Sequence, residues 1–148
     1  MTEPEALDVD AAVSKLNHAL GLQYRSALQY TLAAGSLRGL DWQVLGAQLW
    51  RFAEEELDDA RRLVEKIVAL GGTPDAQPAE LRHVQDPKQA MELLVENETE
   101  AVAALHAIIP DTGQEPRSEA IEHRLEHQIM RKQEQLDTLR RALGLTDR

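Results

Sequence analysis

The sequence predicts an all-α fold, a bundle of four long helices with one long connection between the second and third. Apolar residues recur three and four positions apart in four segments, the spacing that places side chains along one face of a helix. No segment shows the alternation of apolar and polar residues that is typical of a strand. At 148 residues the chain suits a single domain, residues 1–148, with a core of ordinary size.

The first predicted helix covers about residues 9–35. Its apolar stripe begins at Val9, and Gly35 supplies a stop signal at its end. Gln23 interrupts this stripe, and Tyr30 follows two turns further along the same face. We therefore expect both polar groups to lie in the interior of the bundle.

The second predicted helix covers about residues 41–71, with Asp41 as its cap and Gly71-Gly72 at its end. Its apolar stripe is regular on either side of a gap, and Glu56 and Asp59 are the two residues that continue the stripe across that gap. A carboxylate buried without a partner is costly, so a metal, a cation or hydrogen-bond donors should face these two side chains.

The third and fourth predicted helices cover about residues 87–109 and 116–143. The segment before them, residues 73–86, contains two prolines and no helical period. Fourteen extended residues span about 46 Å, so this segment can return the chain along the whole bundle and leave the second and third helices parallel. The polar residues predicted to face inward from these two helices are Glu100, Gln128 and either Arg131 or Lys132.

Composition and charge exclude several functional classes. The chain has no cysteine, which excludes thiol chemistry and agrees with a reducing, cytoplasmic location. A net charge of −10 argues against binding to nucleic acid or to an anionic membrane. The first ten residues carry four acids, unlike a targeting segment, and no apolar run is long enough to span a membrane.

Motifs in the first two helices resemble those of a known family. Leu16-Asn17-x-x-Leu20-x-x-Gln23 and the later Gln29-Tyr30 are similar to L-N-x-x-L-x-x-E and Q-Y. Glu56-x-x-Asp59-Ala60 and Gly72-x-Pro74 are similar to E-x-x-H-A and its Gly-x-Pro exit. On these motifs the chain resembles, over nearly its whole length, the bacterioferritin branch of the ferritin-like family of di-iron carboxylate proteins. The resemblance implies a ferritin-like four-helix bundle with a long crossover.

The resemblance also implies where metal ligands would lie, and four of the six positions carry other residues. Glu56 and Glu100 retain the carboxylate, whereas the remaining positions carry Gln23, Asp59, Gln128 and Arg131. A neutral amide is a poor iron ligand, and a guanidinium repels a divalent ion. The position of the haem-binding Met carries Leu57, so no haem is expected.

Three functional interpretations stay open. In the first, the di-iron centre has decayed: Arg131 or Lys132 neutralises Glu56, Asp59 and Glu100, while Gln23, Tyr30 and Gln128 complete a central polar network. The protein then has a structural, assembly or storage-related role without efficient ferroxidase activity, and no cofactor. In the second, the three carboxylates bind iron and the protein is an altered ferroxidase or storage protein. A small acidic binding module, or a rotated bundle in which these groups are exposed, is the remaining alternative.

Surface residues suggest the assembly. Tyr24, Trp50 and Leu57, on or beside the outer faces of the first two helices, predict a two-fold homodimer or a higher homo-oligomer. The chain ends at Arg148, without the short fifth helix of cage-forming relatives, so a 24-subunit shell is not expected. His123 and His127 have a spacing that can hold a metal, but they lie off the apolar stripe and are expected on a solvated face.

Overall fold

The computed structural model describes residues 6–145 as a bundle of helices with no strand in that range. Residues 1–5 and 146–148, which the predicted domain includes, lie outside the described part. No helix between residues 6 and 145 combines the length and apolar character needed to cross a membrane. The helices are α1 (Val9–Ser36), α2 (Leu40–Gln43), α3 (Gly46–Ala69), α4 (Pro87–His106) and α5 (Pro116–Ala142), and a 3-10 turn covers Ile109–Asp111.

Side-chain caps and glycines define the helix ends. Asp8 caps α1 by accepting a hydrogen bond from the Ala11 N–H, and Asp86 caps α4 by accepting one from the Gln89 N–H. Gly71 follows α3 with a φ of 83°, in the left-handed region that side chains other than glycine rarely adopt. These signals place most helix ends within three residues of the predicted bounds.

The start of the second helix differs from the prediction. Instead of one helix from residue 41, the chain forms the four-residue α2, a turn closed by the Leu45 N–H to the Trp42 carbonyl, and then α3 from Gly46. None of the residues of α2 is buried, and both Leu40 and Val44 are largely exposed. Trp42 and Leu45 nevertheless pack against the core, so this segment is held to the bundle as a short helix and a turn and not as a continuation of α3.

The connection between α3 and α4 runs along α1. The Asn17 amide donates to the Thr73 carbonyl at 3.0 Å, and the Gln29 amide bonds both backbone groups of Arg82 at 2.8 and 2.9 Å. The chain therefore advances from the N-terminal part of α1 to its C-terminal part before α4 begins. This confirms the long crossover and leaves α3 and α4 parallel.

Two apolar clusters fill the ends of the bundle. One surrounds Leu16, Leu63 and Leu125, and the other surrounds Tyr30 and Leu49. Between them lies a layer of polar side chains in the middle of the long helices.

Candidate functional site

The polar layer contains charged groups that are shielded from solvent. Glu56 and Asp59 come from α3, Glu98 from α4, and Gln128 and Lys132 from α5; none is more than 1% exposed. Each occupies a position of its helix where three- and four-residue spacing would place an apolar side chain. The sequence thus brings three carboxyl groups and an ammonium group into one region of the core.

Lys132 lies between two of the carboxyl groups. Its Nζ is 2.6 Å from Glu56 Oε2 and 3.1 Å from Glu98 Oε1. Gln23 donates from its Nε2 to the same Oε2 of Glu56 and to the Glu56 carbonyl oxygen at 2.9 Å. Ser26 donates to Glu98 Oε1 at 2.7 Å. An ion pair between α3, α4 and α5 is therefore held by hydrogen bonds from α1.

Asp59 has a separate partner. Arg131 Nη1 is 3.2 Å from Asp59 Oδ1, and the Gln128 amide donates to the Asp59 carbonyl oxygen at 3.3 Å. The Arg131 side chain is 26% exposed, so this pair connects the buried layer to the surface. Arg131 and Lys132 thus each contact a different carboxyl group of α3.

Burial dominates the protonation of this layer. Burial and the nearby charge of Glu98 raise the pKa of Glu56 to about 8, although Lys132 opposes the shift. Burial also raises the pKa of Asp59, against the opposing charge of Arg131. For Lys132, burial lowers the pKa, but the charges of Glu56 and Glu98 outweigh it and the pKa is raised. Burial therefore disfavours the charged form of Glu56 and of Asp59, whereas the two carboxyl groups beside Lys132 favour its charged form.

Several buried oxygens have no hydrogen-bond partner among the described residues. They are one oxygen of each carboxyl group, Glu56 Oε1, Asp59 Oδ2 and Glu98 Oε2, together with Tyr30 Oη, Gln128 Oε1 and Gln135 Oε1. The carboxyl groups therefore each use one oxygen for a cation and leave the other free. The pKa of Tyr30 is raised well above its ordinary value by burial and by the charges of Glu98 and Glu56, so its hydroxyl stays neutral.

These residues do not fit a di-iron centre. The ammonium group of Lys132 occupies the space between Glu56 and Glu98, and the side chains beside it from α1 and α5 are the neutral Gln23 and Gln128. No imidazole enters the layer, since His123 and His127 are both exposed. Within residues 6–145, no three His, Asp or Glu side chains are grouped to hold a metal ion. An amide is a weak iron ligand and an ammonium group repels iron.

Glu100 was predicted to face inward, and this prediction is wrong. Its side chain is half exposed and pairs with Arg25 at 2.7 Å on the outside of the bundle, whereas Glu98 occupies the interior position of α4. The spacing of the apolar residues contained the signal, because Glu98 lies four residues after Leu94 and three before Ala101. The sequence analysis also missed Ser26 and Gln135, which are buried in the same layer.

The remaining predicted residues lie as follows. Gln23 and Tyr30 are buried on α1, and Leu57 is 59% exposed on the outer face of α3. His123 and His127 belong to the solvated face of α5, and His123 Nδ1 lies 3.9 Å from the Glu126 carboxylate.

Comparisons with known proteins agree with this architecture. A search of curated proteins finds no match to this chain. Among solved structures, the chain is similar to a ferritin-like, diiron-carboxylate protein from Bacillus anthracis str. Ames, with a TM-score of 0.86 and 24% identity over 97% of this chain and 99% of the other. The family model for the ferritin-like domain matches residues 13–148. The chain therefore belongs to the ferritin-like domain family.

Proposed function

We propose that this protein is a bacterioferritin-like subunit in which an internal ion-pair network has replaced the di-iron centre, leaving a structural, assembly or storage-related role without ferroxidase activity. The observation that carries the proposal is the position of Lys132, whose Nζ contacts carboxyl groups from both α3 and α4. The substitutions at Gln23, Asp59, Gln128 and Arg131 are consistent with it, because they remove anionic or imidazole ligands together.

Electrostatic repulsion explains why the network and iron exclude each other. A divalent ion about 4 Å from an ammonium group is repelled by about 8 kcal/mol at an effective dielectric of about 20. Deprotonating Lys132 would relieve this repulsion, but its pKa is raised, so the neutral amine is scarce at physiological pH. Iron would have to displace the side chain from a fully buried position.

One observation favours the alternative, an iron-binding ferroxidase with an altered site. Glu56, Asp59 and Glu98 each keep one buried oxygen without a hydrogen-bond partner among the described residues. Carboxylate oxygens are the ligands that iron and other hard cations prefer. The solved structure with which the chain shares its fold is described as a diiron-carboxylate protein.

Iron binding and oxidation by the purified protein separate the two functions. We expect Fe²⁺ to be oxidised at the rate seen in buffer, and anaerobic titration calorimetry to show no tight binding of two Fe²⁺ per chain. The matched control is Glu56→Gln, which removes the central carboxylate and should leave both results unchanged. Oxidation faster than buffer that is lost in Glu56→Gln, or two iron ions found between Glu56 and Glu98 by anomalous scattering, would establish the ferroxidase instead.

We also propose that the subunit forms a homodimer in the cytoplasm. The outer faces of α1 and α3 expose large apolar side chains, including Leu28, Trp50 and Leu57, which a second copy would cover. The lack of cysteine and the strongly acidic composition support a reducing compartment and a partner other than nucleic acid.

A further inference from the structure

A groove between α3 and α5 concentrates positive charge on this acidic protein. The groove has a volume of about 730 Å³ and lies beside the polar layer, on its solvent side. Arg62 and Lys66 line it from α3, and Arg124 and Arg131 line it from α5. Four cations thus share one concave surface in a chain whose net charge is −10. Like charges on one surface repel each other, and a bound anion would reduce that repulsion.

The charges of the groove are only partly neutralised by the protein. Arg62 pairs with Asp58 at 3.1 Å, and Arg131 pairs with Asp59 at 3.2 Å. Lys66 and Arg124, in contrast, contact no carboxylate among residues 6–145, although both side chains are partly buried. Glu126 is the one acidic residue in the lining, and it is exposed and faces His123. The centre of the groove therefore keeps at least two unpaired positive charges.

We propose that this groove binds an anion made of linked phosphate groups, with Lys66 and Arg124 as its main ligands. Guanidinium and ammonium groups bind phosphate oxygens through charge-assisted hydrogen bonds, and Arg does so with two parallel donors. The site lies on the solvent side of the polar layer, shares Arg131 with it and needs no metal.

The spacing of the cations favours a chain of phosphates over a single one. Lys66 lies one helical turn after Arg62, and Arg131 lies two turns after Arg124 on the facing helix. At about 1.5 Å per residue, the seven-residue step from Arg124 to Arg131 extends over about 10 Å. An orthophosphate ion spans only part of that length, whereas linked phosphate groups can contact both rows.

Arg131 would join the groove to the core. One N–H of its guanidinium donates to the buried Asp59, which leaves other donors on a side chain that is partly exposed in the groove. A phosphate bound near Arg131 would therefore contact a side chain that the interior already holds in place.

Titration calorimetry of the unmodified protein with inorganic tripolyphosphate, orthophosphate and ATP tests the proposal. EDTA is kept present so that iron has no part in the result. We expect tripolyphosphate to bind at least about tenfold more tightly than orthophosphate, and more weakly as salt is added. ATP binding as tightly as tripolyphosphate would show that phosphates alone are recognised, whereas tighter binding would add a nucleoside contact to the same site.

Two double variants with the same change in charge locate the site. We expect Lys66→Gln with Arg124→Gln to weaken tripolyphosphate binding about tenfold or more, because it removes both unpaired cations. Lys88→Gln with Arg51→Gln, which changes two exposed cations outside the groove, should alter it by less than about twofold.

Circular dichroism verifies that both pairs of variants are folded. The proposal is wrong if tripolyphosphate does not bind, or if the two double variants lose affinity equally. Either failure would leave the proposal of a replaced metal centre untouched, because that depends on Lys132 and iron.

Discussion

Lys132 and Arg131 are adjacent in sequence but have different roles, because successive side chains on a helix point about 100° apart. Lys132 points into the core and contacts Glu56 and Glu98, while Arg131 lies at its edge and contacts Asp59. A buried ion pair of this kind is not strong evidence for stability, but removing one partner leaves a charge without compensation. The fully buried lysine should therefore be the more sensitive of the two.

Lys132→Met tests this difference. Met has nearly the same length but no charge, so Glu56 and Glu98 lose their common partner, and we expect the free energy of unfolding to fall by about 3 to 5 kcal/mol at neutral pH. Arg131→Met should cost less, about 1 to 3 kcal/mol, because the Arg131 side chain is partly exposed. Urea denaturation followed by circular dichroism measures both values.

Adding Glu56→Gln and Glu98→Gln to Lys132→Met provides the control. The triple variant has no buried charge at these three positions, and we expect it to recover part of the lost stability. A cost below about 1 kcal/mol for Lys132→Met alone would contradict the ion-pair network.

The protonation of Glu56 predicts a decrease of stability with rising pH. Its pKa is about 8 in the folded protein against an ordinary value of 4.5, so between these values the folded state binds a proton that the unfolded state has released. The free energy of unfolding should then fall with rising pH by up to about 1.4 kcal/mol per pH unit. The raised pKa of Asp59 lowers the stability with rising pH in the same way. The stability that Lys132 contributes is lost only above pH 10.5, the ordinary pKa of a lysine.

Urea denaturation at intervals between about pH 5 and 8 measures this dependence. Glu56→Gln, which imitates the protonated side chain, should flatten it. A stability that rises with pH across this range in the unmodified protein would show that Glu56 is ionised in the folded state.

The sequence predicts most, but not all, of the polar layer. The regular apolar stripe that Glu56 and Asp59 interrupt predicts that both face inward, and the structure buries both. The family resemblance indicates Glu100 as the inward carboxylate of α4, whereas the apolar period of that helix indicates Glu98. Arg131 and Lys132 are adjacent in sequence, so a rotation of α5 about its axis by part of a turn decides which of them enters the core. That rotation is set by how α5 packs against the other helices.

At the scale of elements, the crossover depends on side chains that bond its backbone. Gln29 accepts from the Arg82 N–H and donates to its carbonyl, much as a neighbouring strand would. The sequence predicts this segment from its length and prolines, but not its path, because the amides of Asn17 and Gln29 carry no periodic signal. The break between α2 and α3 is not predicted either, because a capping residue such as Asp41 indicates where a helix can begin but not whether it continues unbroken.

The exit from α3 is closely packed and can be tested with two glycines. A Cβ atom on Gly72 would lie 2.7 Å from Val13 Cγ1 and 3.1 Å from Ile67 Cγ2, and both side chains are β-branched and stiff. We expect Gly72→Ala to reduce the free energy of unfolding by about 1 to 3 kcal/mol. Gly35→Ala is the matched control, because a Cβ there meets nothing within 4 Å and Gly35 is inside α1.

Gly35→Ala should instead raise stability by about 0.5 to 1 kcal/mol, since alanine is the better helix former. Thermal and urea denaturation of the two variants give the comparison. If Gly72→Ala is as stable as the unmodified protein, the end of α3 is not packed against α1 as described.

At the scale of the whole molecule, the bundle has apolar ends and a polar middle. Glu56 and Lys132 lie between a cluster around Leu63 and a second cluster around Leu49. The apolar ends can supply the stability that the buried charges do not, and the polar layer restricts the register in which the four long helices pack. The outer surface follows a different pattern, with apolar side chains grouped on α1 and α3.

This grouping predicts the dimer interface. Trp50 and Leu57 are exposed two turns apart on the outer face of α3, and Leu28 is exposed on α1, one turn after Tyr24, which is partly buried against the core. A two-fold axis through this face would bury the same side chains of both copies, since a two-fold interface uses one patch twice. Large aromatic and aliphatic residues are the side chains that contribute most to such interfaces.

Sedimentation equilibrium of Leu57→Asp tests the interface. We expect the unmodified protein to be a dimer at micromolar concentration and the variant to dissociate at least about tenfold more readily, because each interface would bury two uncompensated carboxylates. Met130→Asp is the matched control: Met130 is 55% exposed, close to the 59% of Leu57, but it lies on α5 and should leave the dimer intact. An unmodified protein that remains monomeric, or a dimer broken equally by both substitutions, would contradict an interface formed by α1 and α3.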